Sequence, residues 1–348
     1  KKLGYSTHAV HNNEATFYGR NTVFSNIGFD TFCSMEYMNG LTDSPNGWSN
    51  DDVLSREIMK TLDSTSGPDF TMAITVQSHG KYDGIALDDP TIKVTGAPEG
   101  KEQAYEYYVN EIHEVDRMID TLIKELSNRK EETVLVLYGD HLPSLDIQKD
   151  DLSNANLYQT QYVVWDNMNL KKKTKNLHAY QLYAEVLDRI QIHEGMITKY
   201  HQQTKHRSKL YLTGLTTLSY DLLYGDNYAY DGENPFKQTE LQMGTEPVKL
   251  TSVQKTKSGY RVVGSGFTPY CKVYYDGTLV ESEWISSECL QLQDEFELDE
   301  ADKKDSGEPE TEVTEPRDVP NAFVVEVQSD DGVVLSSTQA YPASQVKK

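Results

Sequence analysis

The sequence of 348 residues predicts an α/β protein with a largely parallel sheet and flanking helices, followed by a small β-sandwich. Two observations carry this prediction. In the first part of the chain, apolar runs of strand length alternate with longer stretches of helical periodicity, which is typical of a parallel sheet covered by helices. After residue 247, short alternating runs are separated by turn signals such as Asp276-Gly277 and Asp331-Gly332, which favour antiparallel strands.

The first predicted elements follow one another closely. A short strand runs from Tyr5 to Val10, and the segment RNTVFSNIGFD has the spacing of a helix that ends at Gly28. The segment SNDDVLSREIMKTLDS begins with capping residues and repeats apolar positions at helical spacing, so it is predicted to be a helix. Residues 69–80, DFTMAITVQSHG, form the next strand, which ends in polar residues and a glycine.

A second group of elements completes the α/β part. A long helix is predicted from Lys101 to Asn128, and the segments TQYVVWDN and HAYQLYAEVLDRI are predicted to be a strand and an amphipathic helix. Between the long helix and the TQYVVWDN strand, the apolar run from Val134 to Tyr138 is bounded by glycine, which is typical of a strand inside a sheet. The residues that follow such a strand lie at its carboxyl end, where ligands bind in open α/β sheets.

Composition divides the chain into three predicted segments. The α/β domain, a Tyr- and Gly-rich connector and the β-sandwich occupy residues 1–214, 215–246 and 247–348. The acidic run at residues 294–318 contains Pro and Gly and is predicted to be a solvated loop, because it has too little apolar surface to bury. The net charge of −22 argues against nucleic-acid binding, which requires a positive surface.

Cysteine usage and the chain start give little information about the compartment. Cys33, Cys271 and Cys289 lack metal-binding spacing, and Cys271 and Cys289 could be bridged or free. No stretch approaches the roughly 18 consecutive apolar residues that indicate a transmembrane helix. The chain opens on KKLGYSTHAV without an initiating Met, so we expect a piece of a longer protein whose targeting signals lie elsewhere.

Polar clusters follow three of the predicted strands. They are His11-Asn12-Asn13 with Tyr18 and Arg20, then Ser78-His79, then Asp140-His141. Because parallel strands end at one edge of a sheet, the clusters are expected to converge. Asp and His suit a divalent cation, Arg offers a fixed fork of donors to an anion, and His can transfer protons. Taken singly, each cluster also fits an ordinary surface loop.

Three segments together resemble a known family. GYSTHAVHNNEATFYGRNTVFSNIGFDTF, ITVQSHGKY and VLYGDH, in this order and at these separations, resemble the lipoteichoic acid synthase family, over residue 1 to about 205. Its members are extracytoplasmic phosphoglycerol transferases with an alkaline-phosphatase/sulfatase-type fold. The resemblance implies an N-terminally truncated catalytic domain that acts on phosphatidylglycerol and a glycerophosphate polymer. It also implies an anchor in the cell membrane formed by segments before Lys1.

The resemblance implies roles for individual residues. Asp140 and His141 would be ligands of a divalent metal, most often manganese, with magnesium or zinc as alternatives. His79 would be a catalytic residue against the reacting phosphate. The substrate-binding residues would be His11, Asn13, Tyr18 and Arg20, where Tyr18 replaces the usual Trp and Asn13 replaces an acidic residue of some members.

Departures from the family pattern leave the activity open. The nucleophilic Thr and a Glu ligand would precede Lys1, so this chain alone is expected to be inactive with half a metal site. Leu145 stands where the family often carries a further His, which leaves the exact substrate open. The β part resembles an IPT/Ig-like module through VVGSGFTPYCKVYYDGTLVESEW. The alternatives are a sulfatase or phosphoethanolamine transferase of the same superfamily, or a non-catalytic cell-wall-binding protein.

Overall fold

A computed structural model describes residues 2–206, 208–235, 237–293, 296–298 and 315–347. The chain forms two compact units. The first comprises Lys1–Asn128, Asp140–Thr160 and Gln238–Lys348, and the second comprises Arg129–Gly139 and Gln161–Lys237. Most of the predicted acidic loop, residues 294–295 and 299–314, lies outside the described residues, so its loop character stays a prediction.

Helices and strands alternate in the first part of the chain and give way to strands alone in the last part. The helices are α1 Arg20–Asn26, α2 Val53–Asp63, α3 Glu102–Asn128, α4 Ala179–Arg189, α5 Met196–Gln203 and α6 Lys209–Leu223. The first strands are β1 Ser6–His11, β2 Thr31–Cys33, β3 Asp69–Ile74, β4 Val134–Tyr138, β5 Tyr162–Asp166 and β6 Gln242–Met243. The later strands are β7 Lys249–Thr256, β8 Gly259–Ser265, β9 Cys271–Tyr275, β10 Thr278–Val280, β11 Ser282–Ser286, β12 Cys289–Leu292, β13 Ala322–Gln328, β14 Val334–Ser337 and β15 Tyr341–Pro342.

A four-stranded parallel sheet organises the first unit. Its order is β3-β1-β2-β6, so β1 is flanked by a strand on each side. Val10 and Phe32 are fully buried in it. Helix α2 packs on β1 and β3 and contacts α3, and its buried face includes Leu54 and Ile58. The predicted α/β class with a parallel sheet and flanking helices is confirmed.

The edge strand β6 comes from the segment predicted to be a connector. Gln242 pairs with Thr31 in parallel register, and the Thr239 backbone N–H donates to the Ser25 carbonyl at 3.1 Å. Helix α6 runs across residue 214, where the sequence predicts the first domain to end. Both ends of the connector therefore carry regular structure, while the predicted domain limits stay a prediction.

The strand before Asp140 differs from its prediction. In the second unit β4 pairs with β5 in a two-stranded antiparallel sheet, with Val136 opposite Val164. Its residues are half-buried, and Tyr138 is exposed. The prediction of a strand inside the parallel sheet was wrong, because an apolar run ended by glycine does not reveal its pairing partner.

Three short helices complete the second unit. Helix α5 packs against α4 and against α6. The hydroxyl of the buried Tyr211 in α6 lies 2.6 Å from Nδ1 of His201 in α5 and also accepts the Gln181 side-chain amide of α4 at 3.0 Å. Across the part of the chain that the structure describes, no helix has both the length and the apolar character to cross a bilayer.

Two antiparallel sheets form the C-terminal part. One has the order β10-β9-β13-β14 with β15 beside β13, and the other has the order β11-β12-β8-β7. The Phe296 ring lies 5.4 Å from the Tyr260 ring of one sheet and 5.7 Å from the Phe323 ring of the other, measured between centroids. The predicted β part is confirmed as antiparallel sheets, and its Ig-like identity stays a prediction. Cys271 and Cys289 are free thiols, as is Cys33.

The C-terminal sheets contact the parallel-sheet part through the turn Met35–Tyr37. The Thr268 hydroxyl donates to the Glu36 carbonyl at 2.6 Å, and the Tyr37 hydroxyl donates to Ser336 Oγ at 2.7 Å. Both bonds are shielded from water, so breaking either would leave polar groups without a partner. The β part is therefore packed onto the α/β part within one unit.

The burial of Phe32 leads to the first testable prediction. Phe32→Ala should lower the free energy of unfolding by about 3–5 kcal/mol, because it leaves a cavity at the centre of the parallel sheet. The matched control is Phe70→Ala in β3, a strand of the same sheet, where the ring is 36% exposed and the expected loss is about 1 kcal/mol. Urea unfolding measures both. Equal losses would contradict the core placed at β2.

Candidate active site

His11 ends strand β1 beneath the surface. It is 1% exposed, and its Nδ1 donates to the Ile74 carbonyl at 2.8 Å, so Nδ1 carries the hydrogen. Burial lowers the pKa of His11 to about 4; the bond to Ile74 opposes this shift and the charge of Arg20 adds to it. Nε2 is buried and has no hydrogen-bond partner among the residues that the structure describes. His11 is therefore a neutral ring with a free acceptor, and its predicted contact with substrate stays a prediction.

Asp51 joins the segments that follow β1 and β3. Its Oδ1 accepts the Asn12 side-chain amide at 2.8 Å and the Val76 N–H at 2.9 Å, and its Oδ2 accepts the Gln77 N–H at 3.3 Å. The Gln77 side chain accepts the Asp51 N–H in return at 2.8 Å. Asp51 is fully buried, and this burial raises its pKa to about 6 against the effect of these bonds. The two strand ends are therefore held at one edge.

Tyr18 lies in the short 3-10 helix Phe17–Gly19 that follows β1, and Arg20 is the first residue of helix α1. The Arg20 guanidinium carbon is 5.3 Å from the centre of the Phe17 ring and 5.4 Å from that of Tyr18. Its Nη1 donates to the Phe17 carbonyl at 3.2 Å, and the Tyr18 ring is 81% exposed. Arg20 is thus held by two aromatic rings while its remaining donors are available to an anion.

The Glu36 side chain is hydrogen-bonded to the segment between β1 and α1. Its carboxylate is fully buried and accepts the Ala15 N–H at 3.0 Å and the Ser34 hydroxyl at 2.5 Å, while burial raises its pKa. The Asn13 carbonyl accepts the Met35 N–H at 3.2 Å, and the Asn13 side chain accepts the Glu14 N–H at 2.8 Å. Asn13 is therefore occupied by the loop itself and is mostly buried.

His79 lies after β3 and is exposed, and a turn at residues 46–48 holds the backbone beside it. Asn46 donates its side-chain amide to the His79 carbonyl at 3.1 Å, and the Trp48 indole N–H donates to the Gly80 carbonyl at 3.0 Å. The Trp48 and His79 rings meet edge to face, with centroids 5.2 Å apart. The position of His79 therefore depends on contacts that are distant in sequence.

Asp140 and His141 are close to His79. The His141 and His79 ring centroids are 6.4 Å apart and nearly perpendicular. Asp140 Oδ1 accepts the His141 N–H at 2.8 Å and lies 3.7 Å from His141 Nε2, and both side chains are exposed. Two of the three predicted clusters therefore meet directly. Arg20 and His11 form a second group, which interacts electrostatically.

The donors of Asp140 and His141 fit a divalent cation in type but not in number. A carboxylate oxygen and an imidazole nitrogen are suitable ligands, and a first shell needs about four to six donors. Over the described residues, no group of three or more His, Cys, Asp or Glu side chains could hold a metal ion. Leu145, where the resembled family often has His, is buried with Tyr82 and Tyr107 and packs in a core cluster.

The residues that support the site are not predicted by the sequence. The pattern places Asp51 only at the start of helix α2, and it assigns no role to Asn46, Trp48 or Gln77. The SPNG stretch at residues 44–47 carries a turn signal, so a turn here could have been predicted. Its hydrogen bonds to residues 79 and 80 have no signature in spacing.

A protein-family model described as Sulfatase matches residues 1–192 of the chain. A Rhizobium meliloti (strain 1021) protein named for cyclic beta-1,2-glucan modification is 31% identical over 188 residues, 49% of this chain and 29% of that protein. Lipoteichoic acid synthase 2 of Bacillus subtilis (strain 168) is 23% identical over 190 residues, 53% of this chain and 28% of that protein. The chain thus spans less than a third of the length of these relatives.

A solved structure has a similar fold. Streptococcus pyogenes phosphoglycerol transferase GacH, in complex with sn-glycerol-1-phosphate, matches with a TM-score of 0.52 and 19% identity, over 68% of this chain and 66% of that chain. At this identity the likeness speaks for the fold alone. The Sulfatase model and the Bacillus relative confirm the resemblance to the lipoteichoic acid synthase family, and the Streptococcus structure confirms the fold.

The buried Asp51 leads to a prediction about stability and pH. Asp51→Asn should destabilise the protein by about 2–3 kcal/mol at about pH 7.5, because one amide oxygen replaces two carboxylate acceptors. The folded pKa of about 6 lies above the ordinary value of about 4, so acidification adds a proton to the folded protein first. Wild-type protein therefore gains stability relative to the variant, by about 1 kcal/mol, when the pH falls to about 5.

Urea titrations at the two pH values measure this difference. The control is Asp52→Asn, since Asp52 is an exposed neighbour, and it should change stability by less than about 0.5 kcal/mol at either pH. A gap between wild type and Asp51→Asn that narrows on acidification would contradict the assignment of a raised pKa to Asp51.

Proposed function

The chain belongs to the sulfatase family, and we propose that it forms much of the catalytic domain of a metal-dependent phosphoglycerol transferase. This enzyme would act on phosphatidylglycerol head groups and build a lipoteichoic-acid-like polymer. The observation that carries the proposal is the meeting of His79 with Asp140 and His141 beside the strand ends that Asp51 joins. The name of the Bacillus relative, a lipoteichoic acid synthase, supports the choice of phosphoglycerol.

Substrate binding is assigned to the loop after β1. Arg20 would bind the phosphate, since its guanidinium is fixed over two rings and offers paired donors to phosphate oxygens. Tyr18 would cover the head group with its exposed ring. Asn13 and the neutral His11 would shape the floor of the head-group site, and His11 Nε2 would suit a hydroxyl donor better than a phosphate oxygen.

Proton transfer is assigned to His79. Its Nδ1 donates to the Gly80 carbonyl at 2.8 Å, so the neutral ring has its lone pair on Nε2. When an acceptor hydroxyl attacks phosphorus, its proton would move to this nitrogen while the bond from phosphorus to the enzyme nucleophile breaks. The nucleophile would be a Thr before Lys1.

Metal binding is assigned to Asp140 and His141, with manganese as the first choice and magnesium or zinc as alternatives. The further ligands would come from residues before Lys1. When bound, such a cation stabilises the negative charge that develops on the transferring phosphoryl group. Among the side chains of this chain, Arg20 would also stabilise this negative charge.

The cellular setting follows from the proposed substrate. Phosphatidylglycerol lies in the membrane, so we place the domain on the extracytoplasmic side, held at the cell membrane by segments outside this chain. The net charge of −22 suits a protein that does not rely on broad attraction to anionic lipid. Nucleic acid is not an expected partner.

A second candidate keeps the chemistry and changes the acceptor. The 31% identity to a relative named for cyclic beta-1,2-glucan modification favours transfer of phosphoglycerol to a glucan. Incubating the longer protein with phosphatidylglycerol and either a glucan or a glycerophosphate polymer distinguishes the two by which acceptor gains phosphate. Sulfate release from a sulfate ester would indicate a sulfatase, and ethanolamine transfer a phosphoethanolamine transferase. No reaction with any of these would favour a non-catalytic wall-binding protein.

Metal affinity of the chain tests the assignment of Asp140 and His141. Because one loop supplies only two donors, manganese should bind this chain weakly, with a dissociation constant of about 10⁻³ M or higher in calorimetry. Asp140→Asn should remove even this signal. Tight stoichiometric binding that survives Asp140→Asn would locate the metal elsewhere.

Variants of the longer protein test the division of roles. His141→Ala should lose the metal and abolish diacylglycerol release from phosphatidylglycerol. Arg20→Ala should keep the metal and lower turnover about 10²–10³-fold, since it removes charge stabilisation only. Arg20→Lys should restore part of the rate, because an ammonium lacks the paired fork.

Diacylglycerol release and metal content are measured on the same preparations. The control is Arg117→Ala, which removes an exposed arginine of α3 paired with Glu114 and should leave both unchanged. Loss of metal in Arg20→Ala to the extent seen in His141→Ala would contradict the separate roles.

A further inference from the structure

We infer that Trp48 is a positioning residue, which fixes the tautomer of His79 through a shared backbone carbonyl. The inference rests on the proposed function in one respect, that His79 acts on a proton of the reaction. Trp48 is half-buried and has no role in the assignments made from sequence. Its indole, however, contacts the His79 ring and donates to the carbonyl of the residue that follows it.

The Gly80 carbonyl accepts two hydrogen bonds. The indole Nε1–H of Trp48 donates to it at 3.0 Å, and Nδ1–H of His79 donates to it at 2.8 Å. A carbonyl oxygen has two lone pairs, so both donors can be satisfied together. The indole thereby fixes the direction of the carbonyl that selects which nitrogen of His79 carries the hydrogen.

The surrounding contacts leave this carbonyl little freedom. Asn46 holds the preceding carbonyl, that of His79, at 3.1 Å, and the Tyr82 hydroxyl donates to the Ser78 carbonyl at 2.9 Å. A side chain at Gly80 would collide with the Ser144 hydroxyl, on the loop that carries Asp140 and His141. The backbone at residues 78–80 is therefore held from both sides.

The chemical consequence concerns Nε2 of His79. With the hydrogen on Nδ1, Nε2 presents a lone pair on the side of the ring away from Gly80, and it can accept the proton of an attacking hydroxyl. In the other tautomer Nε2 would carry the hydrogen and could not act as the base. Losing the indole donor frees the carbonyl and removes the bias toward the form with the hydrogen on Nδ1.

The test is Trp48→Phe, which keeps an aromatic ring beside His79 and removes the indole N–H. The chain is labelled with ¹⁵N-histidine, and the ring nitrogens are observed by NMR at a pH where the imidazoles are neutral, with His79→Gln to assign the His79 signals. Wild-type His79 should carry its hydrogen mainly on Nδ1, and Trp48→Phe should move the larger share to Nε2. In the longer protein, kcat should fall about tenfold with KM little changed.

Tyr82→Phe is the matched control, because it removes a hydrogen bond to the Ser78 carbonyl and leaves both hydrogen bonds to the Gly80 carbonyl in place. It should leave the tautomer as in wild type. The proposal is overturned if His79 of the wild-type protein carries its hydrogen on Nε2. It is also overturned if Trp48→Phe folds and leaves the tautomer or kcat unchanged.

The tautomer measurement needs no catalysis, so the two proposals fail separately. The expected tautomer shift in a protein that releases no diacylglycerol would support the role of Trp48 and reject the phosphoglycerol transferase. An active transferase with an unaltered tautomer in Trp48→Phe would do the reverse.

Discussion

The buried carboxylate of Asp51 is the constraint on which the candidate site depends. Backbone N–H groups that leave a parallel sheet lose their ladder partners, and buried ones must find others. Asp51 accepts two such groups, from Val76 and Gln77, together with the Asn12 side chain. The segment that carries His11 and the segment that leads to His79 are therefore fixed relative to each other by one side chain. The parallel sheet brings the ends of β1 and β3 to one edge, and the hydrogen bonds to the Asp51 carboxylate fix their relative positions.

Glu36, which follows strand β2, fixes a second backbone segment in the same way. It is a second buried carboxylate that accepts a loop N–H, that of Ala15, and its own carbonyl accepts the Thr268 hydroxyl of the C-terminal sheets. The loop with Arg20 thus rests on a turn that the β part holds from the other side. Both carboxylates have raised pKa values because burial disfavours their charge, and in both the backbone donors limit the effect. The segments of the candidate site are therefore positioned by two buried carboxylates in addition to apolar packing.

Local patterns in the sequence predicted the elements that depend on local information. The α/β class, the strands β1 and β3 and the helices α2 and α3 follow from periodicity and capping. The sequence predicts that His79 and His141 meet because parallel strands end at one edge, but β4 pairs with β5 in a separate antiparallel sheet, so that argument does not account for their contact. The pairing of β4 with β5 and of β6 with β2 was not predicted, because the partner of a strand is a tertiary choice. The contact of Trp48 was not predicted for the same reason, because its hydrogen bond to Gly80 joins two loops that are distant in sequence. The roles of Arg20, His79 and the Asp140-His141 pair remain predictions from resemblance.

The late strand β6 has a consequence for how the chain is made and cut. Its partner β2 is synthesised more than two hundred residues earlier, so β2 is an edge strand of the growing sheet until residue 243 has emerged and β6 can pair with it. An open edge of unpaired N–H and C=O groups is a template for association with other chains. Any shortened version that stops before residue 242 keeps β2 as an exposed edge strand. The smallest piece able to cover β2 therefore extends into the region where the C-terminal sheets begin, and the boundary suggested by composition at residue 214 would be the wrong place to divide the gene.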